Sequence, residues 1–459
     1  MRVLALAYYY PPNGGSGTHR SLHFLNNLAA MGDAVTVITA READFAAGTA
    51  VDRGLQSQVH PTIRILPTRV IRPVNWVLSA RDFLRGRRRG KQREAARTPP
   101  PALTATAKRS STSAVQSFKD AITDALTFPD EHAGWIGFAV RCGSRALRRE
   151  SVDCIYSSGG PWSSHVAAVL LKRRHHRPLV LDFRDPWASN PDRAGRSRLM
   201  RALDRKLESF CIRAADHVVV NTEPLRQDFV RRYPGARAGK FTAITNGFES
   251  IVRHEVTDRG RCFTLVHAGE IYPPRDPAPL LRALLELIRE RRLAAEVLRL
   301  RFVGGCPDRE DIVALLRQPE LAGSVEVIAR VPHSEALRYQ LAADVLLVFQ
   351  TGFPLQVPRK LFEYMSMLKP VLAIGEADGA TASIVQDSGV GIVATQDVES
   401  VKRAVLSLYA GWQGGNASAL DPDRIARYRN ETLAKRLRAV MEEVSGVRSP
   451  ERVLGVPDA

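Results

Sequence analysis

VLALAYYYPPNGGSGTHRSLHFLNNLAAMGDAVTVITA, residues 3–40, joins two apolar runs through a glycine-rich turn and a stretch with helical spacing. Uninterrupted apolar runs are typical of parallel strands covered on both faces, and a helix between two of them makes a βαβ unit. Further apolar runs follow at 153–158, 179–183 and 217–222, with a helical stretch at 164–174. The first half of the chain is therefore predicted to form a parallel α/β sheet.

The same alternation restarts after residue 250. Apolar runs separated by amphipathic stretches lie at 262–270, 298–305, 325–331, 343–350 and 370–376. Two successive α/β units of about 200 residues predict two Rossmann-like domains that face each other across a cleft, with ligands at the carboxyl ends of the strands. The predicted class is α/β, with a charged amphipathic C-terminal helix crossing back to the first domain.

The domain boundaries are placed from the Asn246-Gly247 turn, which we take as the join. The prediction is an N-terminal domain at 1–248 with a basic insertion at about 75–125, a C-terminal domain at 249–422, a helix at 423–447 that packs on the first domain, and a flexible tail at 448–459. Hinge closure is expected near 246–255.

The composition limits the class of protein. The chain has 459 residues, 44% of them hydrophobic, so it can bury a large core. No apolar run approaches the roughly 20 residues that cross a bilayer, and the first residues read into a turn rather than a cleavage site. We therefore expect a cytoplasmic protein. The five cysteines are scattered without CxxC spacing, which indicates neither a disulfide framework nor a zinc cluster.

The net charge of +18 raises the question of nucleic-acid binding. Basic residues are spread over almost every segment, and no run matches a helix-turn-helix, RRM or zinc-finger pattern, so we expect no nucleic-acid partner. One stretch, 81–113, concentrates arginines close to Trp76, Phe83 and Leu84. It fits peripheral contact with an anionic membrane surface or a solvated insertion, and its composition after Arg97 favours disorder.

The glycine-rich turn contains Gly14, Gly15 and Gly17, between the first strand and its helix. Glycines allow the backbone to approach an anion closely, and a helix N-terminus adds free N–H groups. The pattern is not GxGxxG, so it does not favour a nicotinamide cofactor. A tight strand-to-helix turn without a ligand is the alternative.

A second polar element lies in VPRKLFEYMSMLKPVLAIGE, residues 357–376, where Lys360 and Glu363 fall in the first turn of a predicted helix. The apolar positions of this helix are predicted to face the sheet: Leu361, Met365 and Leu368. The spacing places both polar side chains on one exposed face. An amine suits a phosphate and a carboxylate suits a ribose diol, whereas a surface ion pair is the alternative.

Several motifs occur in a fixed order along the chain: PPNGGSGTHR, ITNGF, LVHAGEIYPPRDPAPLLRAL, HSEALRYQLAADVLLV, PRKLFEYMSMLKPVLA and DSGVGIVA. In order and spacing they resemble the GT-B-fold glycosyltransferases of family 4, over roughly residues 1–445 apart from the insertion. FPDEHAGW, YSSGGPWSSH and LDFRDPW resemble the branch that builds bacterial cell-surface polysaccharides.

The resemblance implies that Glu363 holds the ribose of a nucleotide sugar, because it matches the second glutamate of the family's E-x7-E motif. The first glutamate of that motif, which contacts the donor sugar, falls on Leu355. Recognition of the donor sugar is therefore expected to differ, and backbone N–H groups of the Thr351-Gly352 loop are the candidates.

The resemblance also implies a donor loop that contains Gly269, Glu270 and Arg275, together with Gly14 and Gly15 of the first turn. Arg275 takes the place of a diphosphate-binding lysine, keeping the charge and adding a bidentate fork. Glu270 stands where an arginine is usual. Either Lys360 supplies the missing positive charge or Glu270 points away into the fold, and a structural salt bridge is the alternative for Arg275.

In the first domain the resemblance implies that Arg184 and Asp185 lie near the reacting sugar, where relatives often carry a His-Asp pair. Arg184 could bind acceptor or diphosphate oxygens but cannot act as a base, since it stays protonated. Capping by Asp185 in an Arg–Asp pair is the alternative. The candidates for acceptor binding are His132, His165 and Trp187, and lone histidines are often structural.

The function that the resemblance implies is a retaining transfer, of the hexosyltransferase type, from a nucleotide-diphosphate sugar to a surface-glycan or lipid-linked acceptor. Arg184, Asp185, Arg275 and Lys360 are the expected catalytic residues. No metal and no cofactor beyond the nucleotide sugar are expected, because fixed positive charge can stabilise the leaving diphosphate. The alternatives are a GT-B-type UDP-sugar epimerase and a non-catalytic nucleotide-sugar-binding relative.

Overall fold

The structure is a computed structural model that describes residues 1–72, 127–237, 239–252, 261–415 and 420–447. The chain forms two compact units. The first unit comprises Met1–Val219, Tyr233–Thr242 and Ala434–Ala459, and the second comprises Val220–Arg232 and Ala243–Leu433. The predicted basic insertion at 75–125 and tail at 448–459 lie outside the described residues, and so does the membrane contact expected of that insertion.

The first sheet has seven strands in the order β3-β2-β1-β4-β5-β6-β7. Its strands are β1 Arg2–Leu6, β2 Ala34–Ala40, β3 Arg64–Thr68, β4 Cys154–Gly159, β5 Leu179–Phe183, β6 His217–Val220 and β7 Phe241–Ala243. The pairs β1–β2, β2–β3, β1–β4 and β4–β5 are parallel. The strand order reverses between β1 and β4, which places a crevice at their carboxyl ends.

The helices accompanying the first sheet are α1 Ser16–Ala30, α2 Arg53–Ser57, α3 Ile136–Arg149, α4 Ser163–His175 and α5 Arg198–Ala214. The next helix, α6 Glu223–Arg232, follows β6 in the chain but belongs to the second unit. Apolar spacing explains how α1 packs, since Leu22, Leu25 and Leu28 recur every three residues and are completely buried. Helix α5 begins at Ser197, whose side chain accepts a hydrogen bond from the Met200 N–H and caps the helix.

The second sheet has six strands in the order β10-β9-β8-β11-β12-β13. They are β8 Phe263–Ala268, β9 Leu298–Val303, β10 Val325–Ile328, β11 Val345–Gln350, β12 Val371–Gly375 and β13 Gly391–Ala394. All its described pairs are parallel. The order reverses between β8 and β11, so the two strand ends that flank the reversal hold the second crevice.

The helices that follow are α7 Ala278–Arg289, α8 Glu310–Leu316, α9 His333–Leu341, α10 Lys360–Ser366, α11 Ala380–Ser388, α12 Val398–Gln413, α13 Pro422–Ala426 and α14 Asn430–Ser445. In α10, Leu361 and Met365 are completely buried, as predicted. Leu368 lies beyond the end of α10, in a left-handed conformation with φ 51°, and packs partly buried against the same core cluster.

The predicted α/β class with two Rossmann-like sheets is confirmed. The last helix also crosses back as predicted: α14 belongs to the first unit from Ala434 onward, and Arg438 pairs with the buried Asp33 at 3.0 Å. Within the described ranges, no helix is both long and apolar enough to span a bilayer.

Candidate functional site

The amine of Lys360 lies at the carboxyl end of β8. Its Nζ donates a hydrogen bond to the Ala268 carbonyl oxygen at 2.8 Å and lies 3.2 Å from Nε2 of His267. The expectation that Lys360 and Glu363 share one exposed face is therefore wrong for Lys360. Helix α10 starts close to the carboxyl end of β8. The side chain of its first residue, Lys360, therefore turns toward the backbone at that strand end rather than toward solvent.

His267 accepts one of the three hydrogen bonds that the Lys360 ammonium can donate. The Nδ1 atom of His267 lies 2.9 Å from the Leu347 carbonyl oxygen, which can only accept, so Nδ1 carries the proton. The lone pair of Nε2 then accepts from the Lys360 ammonium. Lys360 has three N–H donors, and these two contacts occupy two of them. The third remains for a ligand at the strand end.

Gly269 keeps the space beside this amine open. Its φ of 109° is one that side chains rarely adopt, and a Cβ placed there would lie 3.0 Å from Lys360 Nζ. Gly304 stands behind it, where a Cβ would come within 3.0 Å of the Gly269 carbonyl carbon. The two glycines therefore let a ligand approach the backbone of this loop closely.

Arg275 brings a second positive charge to the same loop. Its guanidinium donates to Oε1 of the buried Gln350 at 2.9 and 3.2 Å and lies 4.2 Å from the ring centre of Tyr272. Within the part of the chain that the structure describes, Arg275 has no carboxylate partner. The structural salt bridge considered as the alternative to phosphate binding by Arg275 is therefore absent among these residues. An amide and an aromatic face orient the group without neutralising it.

The electrostatics of this cluster favour an anion. Burial and, after it, the nearby positive charge of Arg275 lower the pKa of Lys360 to about 8, although Glu363 acts in the opposite direction. Burial and the charge of Lys360 hold the pKa of His267 well below its usual range, which keeps its ring neutral. Two cations that destabilise each other are both stabilised when a negative ligand binds between them.

The two acidic residues expected at the donor site occupy different environments. Glu363 is half-buried and pairs with Arg359 at 3.2 Å. Glu270 is exposed and has no ion-pair partner among the described residues. The alternative in which Glu270 points away into the fold is therefore wrong. The ribose-binding role of Glu363 stays a prediction.

The loop between β11 and α10 differs from expectation in one respect. The Gly352 N–H donates to Oε1 of Glu376 at 2.7 Å, so it is not a free donor for a sugar. The hydroxyl of Thr351 accepts a hydrogen bond from the Gln396 amide. At position 355, the carbonyl oxygen of Leu355 accepts from the Thr222 hydroxyl at 2.8 Å.

In the first unit, Arg184 follows β5 and lies against the start of α1. A Cβ at Gly17 would be 2.1 Å from Nη1 of Arg184 and 2.8 Å from the Tyr9 ring. Only glycine at position 17 leaves room for both side chains. Arg184 also donates from Nε to Asp185 at 3.0 Å, so the predicted Arg–Asp pair is present. The structure thus brings the glycine-rich turn and the Arg184 strand end together.

The glycine-rich turn is stabilised internally. The Gly14 N–H donates to the Ala50 carbonyl oxygen at 2.8 Å, and the Gly15 N–H donates to Oδ1 of Asn13 at 2.9 Å. Neighbouring acceptors therefore use the N–H groups of both glycines, whereas the free N–H groups were expected of the helix N-terminus that follows them. Gly14 and Gly15 could still contribute to donor binding by letting the backbone approach a ligand closely.

A buried ion pair joins helix α1 to strand β5. Arg20 of α1 forms a bidentate pair with Asp182 of β5, with the shortest contact at 2.7 Å. Both side chains are almost completely excluded from solvent. The Tyr156 hydroxyl donates to Oδ2 of Asp182 at 2.7 Å. This network fixes the helix that carries Gly17 to the strand that carries Arg184.

The three acceptor-binding candidates occupy different environments. His132 is buried, stacks on Tyr8 at 4.1 Å and lies 2.9 Å from the Tyr9 hydroxyl, which links it to the Arg184 region. His165 and Trp187 are completely buried. Their side chains are therefore covered by the protein.

Packing and hydrogen bonding account for those two buried residues. Nδ1 of His165 lies 3.0 Å from the Ser157 hydroxyl, and burial lowers the pKa of His165 to about 3, so the ring is neutral. Trp187 stacks on Trp162 with ring centres 5.3 Å apart and donates to Asp204 at 3.1 Å. Both residues build the floor under the strand ends.

Several site residues were not found by reasoning from the sequence: Tyr9, Arg20, Asp182, His267 and Gln350. One signal was available for Asp182, since a carboxylate inside the apolar run LVLDF must have a buried partner. His267 and Gln350 gave no such signal, because a single polar residue near a strand end is common. Among the described residues, no group of three or more His, Cys, Asp or Glu side chains could hold a metal ion.

Models of two known protein families match most of the chain. A model described as a glycosyl transferase 4-like domain matches residues 14–247, and a model described as glycosyl transferases group 1 matches residues 262–411. The chain belongs to the GT-B glycosyltransferases of family 4. The resemblance inferred from the motifs is confirmed. No curated protein sequence matches this glycosyltransferase.

Solved structures similar to the glycosyltransferase share its fold. HepE from Anabaena, in complex with UDP, is 15% identical with a TM-score of 0.60 over 96% of this chain and 100% of that chain. Sucrose-phosphate synthase from Thermosynechococcus elongatus is 14% identical with a TM-score of 0.59 over 97% and 99%. A protein from Listeria monocytogenes assigned as a UDP-N-acetylglucosamine 2-epimerase is 13% identical with a TM-score of 0.53 over 98% of each chain.

Proposed function

We propose that this glycosyltransferase transfers a hexose, with retention of anomeric configuration, from a nucleotide-diphosphate sugar to a surface-glycan or lipid-linked acceptor. The observation that carries the proposal is the pair of cations beside Gly269. Lys360 keeps one N–H donor and Arg275 keeps its charge, since neutral groups alone fix them in place. A diphosphate is the group in a sugar donor that needs this charge.

The cations would act mainly on the leaving group. As the bond from the sugar to the diphosphate breaks, negative charge grows on the diphosphate oxygens, and fixed donors stabilise that charge without having to reorganise. Glu363, released from Arg359, would accept hydrogen bonds from the ribose hydroxyls. This chemistry works without a metal ion, which we propose for this chain too. HepE, which shares the fold, was solved with UDP.

The acceptor would be met by the first unit. Arg184 and Asp185 lie at the carboxyl end of β5, where the missing side chain of Gly17 makes room for the Arg184 guanidinium. Arg184 would orient acceptor or diphosphate oxygens, and it cannot remove a proton because it stays charged. His132 would assist through the Tyr9 hydroxyl. We further propose a cytoplasmic enzyme of cell-surface polysaccharide synthesis, with peripheral contact at the membrane surface.

A nucleotide-sugar panel tests the proposal. Thermal shifts with UDP, GDP, CDP and ADP sugars identify the donor, since a bound ligand raises the melting temperature in proportion to its occupancy. Transfer is then measured with a lipid-linked or oligosaccharide acceptor, for the wild type and for Glu363→Ala. The matched control is Glu335→Ala, a partly exposed glutamate of α9. We expect transfer by the wild type and the control, and at least a roughly tenfold loss in Glu363→Ala, for a charged hydrogen bond worth about 1.5–3 kcal/mol.

Other products would contradict the proposed transfer. A donor that returns with its sugar epimerised identifies an epimerase, the activity assigned to one protein that shares the fold. A donor that binds without turnover identifies a non-catalytic relative, for which the departures at Leu355 and Glu270 would be the reason. Equal transfer by Glu363→Ala and Glu335→Ala would remove the ribose role of Glu363.

The affinity for the donor should depend on the protonation of Lys360. Because the pKa of Lys360 lies at about 8, its amine is mostly charged at pH 7 and mostly neutral at pH 9. The charged form binds a diphosphate, so affinity should be highest below pH 8 and fall about tenfold between pH 7 and pH 9. Calorimetric titration with the intact nucleotide sugar measures this, because its diphosphate has no terminal group that titrates there.

The control for this pH profile is Lys360→Arg, whose guanidinium stays charged over the whole range. Its affinity should be lower at pH 7, because the fork cannot reproduce both contacts of the amine, but flat between pH 7 and pH 9. A wild-type affinity that does not change over this interval would show that Lys360 is not the titrating phosphate ligand.

A further inference from the structure

A second concentration of positive charge lies in the first unit, away from the strand end that carries Arg184. A groove of about 1090 Å³ opens between the C-terminal end of α4 and helix α5. Six lysine and arginine side chains line it: Lys172, Arg173, Arg177, Arg205, Lys206 and Arg213. We call this feature the basic groove.

The basic groove lies at the opposite edge of the sheet from Arg184. Two of its lining residues, Pro178 and Asp216, directly precede β5 and β6, whereas Arg184 directly follows β5. Five extended residues span roughly 16 Å. A ligand in the basic groove is therefore separated from the acceptor region by the length of a strand, and neither proposed substrate site includes it.

The charge of the basic groove is mostly uncompensated. Asp216, its one acidic residue, pairs with Lys172 at 2.5 Å and accepts from the Leu179 N–H at 2.7 Å. The five other cations have no carboxylate partner among the described residues. Solvated surface arginines usually stand on convex faces with acids between them. Here they converge on a concavity.

The floor of the basic groove is built to hold a cation in place. The guanidinium of Arg173 lies 4.8 Å from the ring centre of Phe210, another lining residue. Stacking restricts the guanidinium while leaving its N–H donors directed outward. The positive field extends to neighbouring residues: burial and the charges of Arg174, Arg148 and Arg177 lower the pKa of His175.

We propose that the basic groove binds phosphate groups, carried either by a phospholipid headgroup or by a small soluble molecule. Phosphate fits because guanidinium groups bind its oxygens bidentately and several cations share one multiply charged group. The inference goes beyond the proposed function and does not depend on it, since none of the residues in the basic groove takes part in donor or acceptor binding as proposed above.

Two exposed leucines indicate how the two sources differ. Leu170 of α4 and Leu199 of α5 are 39% and 65% exposed, on the two helices that form the basic groove. Apolar side chains beside basic ones are the composition of surfaces that contact a bilayer. If the phosphate belongs to a lipid, Leu199→Ser should weaken binding to vesicles. If it belongs to a soluble molecule, Leu199→Ser should change nothing.

The test compares two charge reversals of equal size. The variant of the basic groove is Arg205→Glu with Lys206→Glu, and the matched control is Arg141→Glu with Arg145→Glu on α3. All four residues are exposed and carry no ion pair in the described structure, so neither variant should unfold the protein, which thermal unfolding checks. The probes are vesicles of phosphatidylcholine with and without phosphatidylglycerol, and inorganic tripolyphosphate. Full-length protein is used throughout.

We expect the groove variant to lose roughly 30-fold or more in affinity for one of these probes, given about tenfold or less per surface cation, while the control variant stays within about threefold of wild type. Loss on anionic vesicles assigns a lipid headgroup, and loss on tripolyphosphate assigns a soluble phosphate. Equal losses in both variants, or no binding of either probe by the wild type, would overturn the proposal. Selective loss of duplex DNA binding alone would replace it with a nucleic-acid site.

Unchanged donor binding separates this result from the proposed function. The groove variant should keep the thermal shift that the wild type shows with its nucleotide sugar. Loss of donor binding in that variant would mean that the two sites are not independent and would contradict the separation argued from the strand ends.

Discussion

Lys360→Ala should slow sugar transfer by about 100- to 1000-fold in kcat, the effect of removing one fixed donor from a developing negative charge. Lys360 is the residue with the largest expected effect because its amine is held by Ala268 and His267 and needs no rearrangement to meet the diphosphate. The measurement is steady-state transfer with the donor identified from the panel.

The control for Lys360→Ala is Arg282→Ala, which removes one positive charge from an exposed pair with Asp311 in the same unit. It should transfer sugar at the wild-type rate. Lys360→Ala should also unfold no earlier than wild type, because burial already disfavours the charged amine in the folded protein. A kcat within about threefold of wild type would show that the diphosphate is stabilised elsewhere.

Arg20→Met should lower the free energy of unfolding by about 3–5 kcal/mol, since it leaves the Asp182 carboxylate buried without its counterion. The Asp182 side chain has no exposed surface, and that of Arg20 is only 2% exposed. Urea unfolding followed by circular dichroism measures the change. The Tyr156 and Ser158 hydroxyls would still donate to Asp182, but neutral donors replace neither the charge nor the bidentate geometry.

The comparison for Arg20→Met is Arg53→Met, which breaks an exposed ion pair with Glu42 and should cost at most about 1 kcal/mol. If Arg20→Met costs no more than Arg53→Met, the carboxylate of Asp182 must take up a proton or reach solvent, and the network would not hold α1 against β5. The double change Arg20→Met with Asp182→Leu should recover part of the loss, because it removes both charges.

The fold could be predicted from the sequence wherever a strand is a continuous apolar run. The runs at 34–40 and 179–183 coincide with β2 and β5, because strands covered on both faces contain few polar residues. Three strands went unpredicted, namely β3, β7 and β13. β3 contains Pro67 and an exposed arginine, β7 has only three residues, and β13 begins with Gly391. Each lacks the apolar length that marks a strand.

The candidate site was predictable only in part. The motifs correctly brought Lys360 and Arg275 to the same strand end, since both follow carboxyl ends at one reversal of strand order. The contacts that orient Lys360 and Arg275 come from His267 and Gln350, which are distant from them in sequence. His267 and Gln350 lie in strands that were predicted only from the apolar residues around them. The direction of a side chain at a helix start depends on such tertiary partners, which spacing alone does not specify.

The glycine-rich turn shows a different limit. The glycines of this turn were predicted to let the backbone approach an anion, but the N–H groups of Gly14 and Gly15 are bonded within the protein, to Ala50 and Asn13. Gly17, which received less weight, is the position where a Cβ would collide with Arg184. A sequence shows where small residues occur, whereas the neighbour that requires each of them becomes visible only when β5 is placed beside α1.

The backbone contact at Leu355 makes this position suitable for engineering. Its carbonyl oxygen, rather than its side chain, holds the loop to Thr222, and every amino acid carries that same atom. A saturation library at position 355 would therefore vary the chemistry presented by the loop while the main chain keeps its anchor. Directed evolution toward new glycan products could begin at this single codon.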